Sequence, residues 1–269
     1  MRMRFAKLHG LGNDFLLIDL RAGGEPLENA RALALCDRHR GVGGDGVLTL
    51  LPSREGDARM LIQNSDGSVP EMCGNGARCA ALWLATSGGV SAGNREVLLL
   101  TEAGPRPCSV RARSPLAGDV TVGMGAPRFE GTRRLEAFDG TRRLAADALS
   151  VSMGNPHRVI FGDGDPRELA LRHGRELCLA EGANIEFVTR LGPRHYRAVV
   201  YERGAGLTEA CGTGACAVAA AAIERGEAAA GEELVIELPG GPLSIRQDPG
   251  TGELRMTGPA ELVFLGEVP

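Results

Sequence analysis

The chain of 269 residues contains one phrase twice, and this repeat limits the folds that are open to it. EMCGNGARCAALWLA covers residues 71–85 and EACGTGACAVAAAAI covers residues 209–223, so that Cys73 and Cys211 stand at equivalent points, 138 residues apart. Because this offset is close to half of the chain, the repeat predicts two homologous halves. Three more pairs keep an offset of 138 to 142 residues: Gly46 with Asn184, Asn64 with Glu202, and Asn13 with Asn155.

Short apolar runs bounded by Gly, Pro, Asn or Asp predict that strands dominate the chain. The runs are FLLIDL, GVLTLL, RMLIQ, EVLLL, HRVIF, RAVVY and ELVIEL. Helices are predicted at 28–40, at 166–177 and directly after each repeated cysteine. This mixture lacks the regular alternation of strand and crossover helix, so the predicted class is α+β.

The two helices that follow the repeated cysteines are apolar almost all round, which indicates that each is wrapped on most sides. We therefore predict two pseudo-symmetric domains, each a curved, barrel-like, mostly antiparallel sheet around a central helix. The Pro- and Gly-containing segment at 110–127 favours a boundary near its middle. The predicted domains are 1–116, completed by a C-terminal strand at about 258–269, and 117–257.

Composition favours a small-molecule or protein partner. The formal net charge is −4 with acids and bases interspersed, which offers neither a basic stripe for nucleic acid nor a polybasic segment for a membrane. No apolar run reaches the roughly 20 residues of a membrane span, and the N-terminus lacks a signal-peptide core, so a cytoplasmic location is predicted. Seven cysteines, an odd number in a long chain, argue against a secreted disulfide framework.

The repeated phrase combines a cysteine with the features of an anion site. Its glycines permit close approach of the backbone to a ligand, and the helix that follows offers unpaired N–H groups to a carboxylate. The same field is expected to lower the pKa of the thiol from about 8.5 toward neutrality. If Cys73 and Cys211 face one carbon from opposite sides, one thiolate can remove a proton while the other thiol delivers one. This pair predicts racemisation or epimerisation of an α-amino acid.

Other chemistries fit the sequence less well. Pyridoxal phosphate needs a Schiff-base lysine, and Lys7, the sole lysine, lies in no recognisable cofactor motif, so no cofactor is predicted. No metal is predicted either, because Cys73–Cys79 and Cys211–Cys216 have the wrong spacing for zinc, and no C-x-x-C motif supports a redox dithiol. The other five cysteines are interpreted as buried apolar residues.

Two further features are assigned accessory roles. GVGGDG at 41–46 is interpreted as a turn that brings the backbone at Gly46 near the substrate, because no lysine follows it as a phosphate loop requires. His157, at the start of a predicted strand, is either a packed surface histidine or an accessory residue of the site.

Six motifs then carry a family resemblance across almost the whole chain. HGLGNDF, GGDG, NSDGSVPEMCGNGARC, SMGNPH, GANIEFV and YERGAGLTEACGTGACA, in this order, resemble diaminopimelate epimerase. The resemblance implies a pyridoxal-independent isomerase that interconverts LL- and meso-diaminopimelate in lysine and peptidoglycan precursor biosynthesis. It also implies that Cys73 and Cys211 are the acid–base pair.

The resemblance implies substrate-binding roles for ten residues: Asn13, Asn64, Gly74, Asn75, Asn155, Asn184, Glu202, Arg203, Gly212 and Thr213. An arginine beside several amides suits a second carboxylate, and Glu202 can meet an ammonium group. Some members of this family carry Gln at the position where this chain has Gly46. Proline racemase and hydroxyproline epimerase share the two-cysteine plan but carry His where Asn75 stands. A non-catalytic amino-acid-binding protein is the third alternative, and a homodimer is left open.

Overall fold

The computed structural model describes residues 2–86 and 93–269, which form two compact units. Unit 1 comprises Met1–Gly123 with Thr257–Pro269, and unit 2 comprises Met124–Met256. The sequence predicted domain boundaries after residues 116 and 257. Pro115 and Leu116 instead form the turn of a hairpin, in which Ser114 pairs with Ala117.

Residues 2–86 and 93–125 supply seven strands and two helices. They are β1 (Met3–Gly10), β2 (Asn13–Asp19), α1 (Asn29–Cys36), β3 (Gly46–Leu51), β4 (Ala58–Asn64), α2 (Gly74–Thr86), β5 (Asn94–Thr101), β6 (Gly104–Ser114) and β7 (Ala117–Gly125).

The rest of the chain supplies nine strands and two helices. They are β8 (Arg128–Phe138), β9 (Arg143–Ser152), β10 (Pro156–Phe161), α3 (Pro166–Glu181), β11 (Asn184–Gly192), β12 (His195–Glu202), β13 (Gly206–Leu207), α4 (Gly212–Glu224), β14 (Glu233–Leu238), β15 (Gly241–Gln247) and β16 (Leu254–Val268).

Both units use one strand plan. In unit 1, β1–β2, β3–β4 and β5–β6 are antiparallel, whereas β2–β3 and β4–β5 are parallel. In unit 2, β9–β10, β11–β12 and β14–β15 are antiparallel, whereas β10–β11 and β12–β14 are parallel. The pairing of β1 with β16 closes the sheet of unit 1 on itself. The predicted α+β class with a barrel-like, mostly antiparallel sheet is confirmed.

Each repeated helix lies inside its own sheet. Helix α2 contacts β1 to β6, and α4 contacts β9 to β12 as well as β14 and β15. All residues of α4 from Gly214 to Ala222 are buried, so a helix of small apolar side chains fits where an amphipathic one would leave polar groups without water. The sequence prediction of wrapped central helices is therefore confirmed.

The other two helices lie on the outside of the sheets. Helix α1 packs on β3 and β4, and it ends at Cys36, four residues before the predicted end, because the Asp37 carboxylate accepts the backbone N–H groups of His39 and Arg40 and forms a turn. Helix α3 packs on β11 and β12 and runs four residues beyond its predicted end, to the left-handed Gly182. This stop leads the chain directly into Asn184 at the start of β11.

A tight hairpin between β1 and β2 presents Asn13. Gly10 pairs with Asn13, and the two residues between them, Leu11 and Gly12, both have positive φ values, of 56° and 84°. These angles are those of a type I′ turn, whose twist matches that of the flanking strands.

Within residues 2–86 and 93–269, no helix is long and apolar enough to cross a membrane.

Gly174 sets the distance between α3 and β12, and substitution there should destabilise unit 2. A Cβ atom at Gly174 would lie 2.6 to 2.8 Å from atoms of the Tyr201 side chain, so Gly174→Ala forces the two elements apart. We expect the free energy of unfolding to fall by about 1–3 kcal/mol, as is typical of overpacking. Gly162→Ala is the control, because a Cβ there meets nothing within 4 Å. Urea titrations in which both variants unfold at the wild-type midpoint would contradict this account of the interface.

Candidate functional site

The residues predicted for the site fall into two clusters, one in each unit. The N-terminal cluster consists of Asn13, Gly46, Asn64, Cys73, Gly74 and Asn75. The C-terminal cluster consists of Asn155, His157, Asn184, Glu202, Arg203, Cys211, Gly212 and Thr213. Each cluster contains the cysteine that directly precedes the central helix of its unit, and each is described within that unit.

In the N-terminal cluster, two asparagines are bonded to each other and to an acid. Asn75 Nδ2 donates to Asn13 Oδ1 at 3.0 Å, and Asn13 Nδ2 donates to Asp45 Oδ2 at 2.7 Å. Asp45 fixes which way the Asn13 amide faces, because only the Nδ2 end can donate to a carboxylate. Sequence reasoning treated GVGGDG as a backbone turn and missed this role of its aspartate.

Charged residues hold Asp45 in place. Arg38 Nη2 bonds to Asp45 Oδ1 at 2.8 Å and to Asp14 Oδ1 at 2.6 Å, and Lys7 Nζ lies 2.5 Å from Asp14 Oδ2. Burial acts to raise the pKa of Asp14, but the hydrogen bonds from Arg38 and Lys7 outweigh it and lower that pKa to about 2. The only lysine of the chain is thus committed to an ion pair and to the carbonyl of Gly43.

Cys73 stands directly before α2 and is half-buried. The backbone N–H of Gly76 points at Cys73 Sγ with an N···S distance of 3.4 Å, and Ala77 N–H donates to the Cys73 carbonyl at 2.8 Å. A Cβ at Gly76 would lie 2.9 Å from Leu48 Cδ2, so only glycine lets the helix start at this depth. The sulfur therefore faces backbone donors of a helix N-terminus.

The remaining residues of the N-terminal cluster lie where β3 and β4 meet. Gly46 pairs with Asn64 across the two strands, and Asn64 Nδ2 donates to Ser68 Oγ at 2.9 Å. A Cβ at Gly46 would lie 2.9 Å from the carbonyl oxygen of Gln63. A glutamine in place of Gly46 would thus require the two strands to shift apart.

In the C-terminal cluster, a continuous series of side chains leads to the second cysteine. His157 Nε2 lies 3.0 Å from Asn155 Oδ1, Asn155 Nδ2 donates to Thr213 Oγ1 at 3.3 Å, and Thr213 Oγ1 lies 3.6 Å from Cys211 Sγ. His157 is fully buried, so its interpretation as a surface histidine is wrong. The structure brings four of the predicted residues into direct contact here.

Glu186 joins this series and was not predicted. Its Oε1 lies 2.6 Å from His157 Nδ1, and both side chains are fully buried. The residue stands in β11 within GANIEFV, where Ile185 and Phe187 beside it are also buried. An acid inside a buried apolar run is the signal that could have found it, because carboxylates are rarely buried without a partner.

The Cys211 thiol does not show the expected lowering of its pKa. Burial, followed by the charges of Glu202 and Glu186, raises the pKa of Cys211 well above the ordinary thiol value, and the Thr213 hydroxyl and Gly214 N–H oppose this only in part. The lowered pKa predicted from the helix N-terminus is therefore wrong for Cys211. Burial and two neighbouring carboxylates destabilise the thiolate more than the helix N-terminus stabilises it. Cys211 rests as a thiol.

Glu202 sits at the end of β12, against this thiol. Burial raises the pKa of Glu202, while hydrogen bonds from Thr208 and Cys211 act to lower it. Next to it, Arg203 N–H donates to Asn184 Oδ1 at 2.9 Å, and the exposed Arg203 guanidinium makes one contact of 3.3 Å with the Gly182 carbonyl. An acid and a cation thus stand side by side at one edge of the C-terminal cluster.

Two further cysteines lie inside the central helices. Cys79 and Cys216, in the interiors of α2 and α4, are fully buried, and burial raises the pKa of Cys79 to about 12. Among residues 2–86 and 93–269, no three His, Cys, Asp or Glu side chains are grouped so that they could hold a metal ion.

Comparison with known proteins identifies relatives across the whole length of the chain. The family model for diaminopimelate epimerase matches residues 5–130 and 149–263. The chain is 41% identical to the diaminopimelate epimerase of Microcystis aeruginosa, with 100% of both chains covered. It is 45% identical to the diaminopimelate epimerase of a Synechococcus species, with 98% of both covered.

Solved structures share the fold at much lower identity. A probable proline racemase from Agrobacterium radiobacter is similar with a TM-score of 0.77 and 18% identity, covering 99% of this chain and 93% of that one. A predicted epimerase from Pseudomonas aeruginosa gives a TM-score of 0.74 and 18% identity, covering 99% of both chains. These likenesses establish the fold.

The charge of Glu202 should control the reactivity of Cys211. We expect Glu202→Gln to make Cys211 react several-fold faster with iodoacetamide at pH 8, because removing a carboxylate that raises the pKa of Cys211 increases the thiolate fraction. Peptide mass spectrometry measures the rate at this cysteine. Glu209→Gln is the control, since this exposed acid lies two residues before Cys211. Equal rates in wild type and Glu202→Gln would show that burial alone suppresses the thiolate.

Proposed function

Because the chain belongs to the diaminopimelate epimerase family, we propose that it interconverts LL-2,6-diaminopimelate and meso-diaminopimelate without a cofactor, as a step in making lysine and peptidoglycan precursors. One observation carries the mechanism: two units of the same strand plan each place a cysteine directly before a helix that is buried in the sheet. Cys73 and Cys211 are the two acid–base groups.

The reaction needs one sulfur on each face of the α-carbon. A thiolate on one side takes the α-proton and becomes a thiol, while the thiol on the other side gives up its proton and becomes a thiolate. The stereocentre inverts, and no electron acceptor or co-reactant is consumed. The negative charge that develops next to the α-carboxylate is stabilised by helix N–H groups, here those after Gly74 and Gly212, with Asn75 and Thr213 beside them.

The bound substrate itself lowers the pKa of the Cys211 thiol. A bound ammonium group next to Glu202 offsets the carboxylate charge that raises the pKa of Cys211, and so brings the thiolate within reach. The base is therefore generated only when an amino acid is present. An empty site keeps the thiol, which protects the sulfur from oxidation and alkylation.

The far end of the substrate carries a second amino-acid group. Among the described residues, the Arg203 guanidinium donates one hydrogen bond, of 3.3 Å to the Gly182 carbonyl, and it can turn toward a carboxylate. This suits it to bind the distal carboxylate with Asn64, Asn155 and Asn184. Asn13 and Gly46 complete the lining on the side of Cys73. We place the enzyme in the cytoplasm, where its substrate is made, and a homodimer is compatible with this proposal.

Two alternatives make different demands. Proline racemase or hydroxyproline epimerase activity needs no group for a distal carboxylate, and the family match favours diaminopimelate over both. A non-catalytic amino-acid-binding protein would need no thiol pair held at two helix N-termini.

Epimerisation in deuterated water should label the inverted carbon. The thiol that delivers the proton has exchanged with solvent, whereas the original hydrogen leaves on the other sulfur. We expect one deuterium at the α-carbon of each newly inverted diaminopimelate molecule, measured by chiral separation and mass analysis. Inversion with full retention of the original hydrogen would refute two-base chemistry, and the absence of inversion and exchange would favour the binding protein.

Arg203→Met should abolish most turnover of LL-diaminopimelate. Loss of one partner of a desolvated ion pair typically costs about 2–5 kcal/mol, or roughly 30- to several-thousand-fold in kcat/KM. Arg197→Met is the matched control. Arg197 lies in β12, the strand that ends just before Arg203, but its guanidinium is hydrogen-bonded to Glu237. If the wild type racemises proline readily and Arg203→Met does not change that rate, the proline-type alternative is correct.

A further inference from the structure

Glu186 begins a series of hydrogen bonds that ends at the sulfur of Cys211. The series runs from Glu186 Oε1 to His157 Nδ1, from His157 Nε2 to Asn155 Oδ1, and from Asn155 Nδ2 to Thr213 Oγ1, with Cys211 Sγ 3.6 Å beyond. All of these residues belong to unit 2, and each distance up to Thr213 is that of a hydrogen bond.

The direction of every proton in this series follows from its two ends. Glu186 faces Nδ1 through a shared proton, and His157 Nε2 must carry a proton because Asn155 Oδ1 can only accept. Asn155 then presents Nδ2 to Thr213 Oγ1, which accepts. The hydroxyl proton of Thr213 therefore points away from Asn155 and can be donated to the sulfur of Cys211.

The equivalent positions of unit 1 show that the fold does not require this pair. Phe15 pairs with Gly46 in β2–β3 as His157 pairs with Asn184 in β10–β11, and Leu48 lies two residues beyond Gly46 as Glu186 lies two beyond Asn184. Unit 1 therefore holds Phe15 and Leu48 where unit 2 holds His157 and Glu186. An apolar pair fills these two interior positions equally well.

The surroundings of Glu186 also argue against a purely structural role. Among the described residues, its Oε2 atom is buried and has no hydrogen-bond partner. Its Oε1 atom lies 3.1 Å from the position of a Cβ at Gly214, while Leu48 Cδ2 lies 2.9 Å from that of Gly76. A buried carboxylate oxygen without a hydrogen-bond partner destabilises the fold. Its presence against the start of α4 therefore indicates a functional role for Glu186.

We propose that Glu186 is a positioning residue that acts through His157 and Asn155 to aim the hydroxyl proton of Thr213 at the sulfur of Cys211. The aimed hydroxyl stabilises the thiolate that forms when Cys211 acts as the base, and it contributes less while the sulfur is a thiol. Glu186 thus assists one half-reaction without touching the substrate. This inference rests on the two-cysteine function proposed above.

Glu186→Gln tests the proposal, because it keeps the shape and removes a charge that by itself raises the pKa of Cys211, so that a fall in kcat reports lost orientation and not the lost charge. A glutamine oxygen can accept the Nδ1 proton of a neutral imidazole, which leaves Nε2 without its proton and lets the Asn155 amide reverse. We expect kcat to fall roughly 10- to 100-fold, as for other residues that orient a reacting group, with KM within about threefold of wild type. Glu237→Gln is the matched control, since Glu237 holds His195 on the surface of the same unit at 2.9 Å.

A double-mutant cycle with Thr213→Val tests the route. If Glu186 acts through Thr213, adding Glu186→Gln to Thr213→Val should lower kcat by less than about threefold, since the final donor is already gone. If the two effects multiply fully, Glu186 acts independently of Thr213 and the proposal is wrong. A change confined to KM would also overturn it.

A readout that needs no turnover separates this proposal from the epimerase assignment. NMR of the wild type should show a protected imidazole proton at His157 Nε2, and Glu186→Gln should remove this signal and shift the side-chain amide of Asn155. Glu237→Gln should leave these signals unchanged. If Glu186→Gln also leaves the Asn155 amide unchanged, the series does not transmit orientation, whether or not the protein epimerises diaminopimelate.

Discussion

The burial of a helix N-terminus against the strands that enclose it is the constraint on which both clusters depend. A helix start leaves backbone N–H groups without partners, and inside a sheet water cannot satisfy them all. In α2 the group at Gly76 turns to Cys73 Sγ, and in α4 the group at Gly214 turns to Cys211. A glycine stands at both points because a Cβ would collide with Leu48 or crowd Glu186. The position of each sulfur thus follows from the way its helix is enclosed.

The two units share one side-chain contact and differ in what supports it. Asn75 donates to Asn13, whereas Asn155 donates to Thr213, so the residue two positions after each cysteine contacts the asparagine of a Gly-Asn turn and the direction of the hydrogen bond is reversed between the units. Behind Asn13 stands Asp45, held by surface-facing Arg38; behind Asn155 stand the buried His157 and Glu186. The different supports make the environments of the two cysteines unlike.

Much of this structure could be predicted from local sequence, because the deciding residues are close in the chain. The glycines after Cys73 and Cys211, the all-round apolar helices and the strand runs are each encoded within about fifteen residues, and the structure places them as expected. The raised pKa of Cys211 could not be predicted from local sequence. It depends on Glu186 and Glu202, which reach the sulfur from two other strands and outweigh the local effect of the helix start. The sequence left two roles open for His157 for the same reason, since only tertiary packing reveals its burial.

The unlike environments bear on how one enzyme can run in both directions. A reversible two-base reaction works best when the two sulfurs exchange a proton at comparable free energy, yet Cys211 is buried beside two carboxylates and Cys73 is half-buried beside backbone donors. In the proposed mechanism, groups that favour the Cys211 thiolate must therefore act when substrate is bound, and two can do so. A bound ammonium ion would offset the charge of Glu202, and the Thr213 hydroxyl, 3.6 Å from the sulfur, would donate to it. Because the first of these groups would come only with an amino acid, the mechanism couples the reactivity of Cys211 to recognition of the substrate.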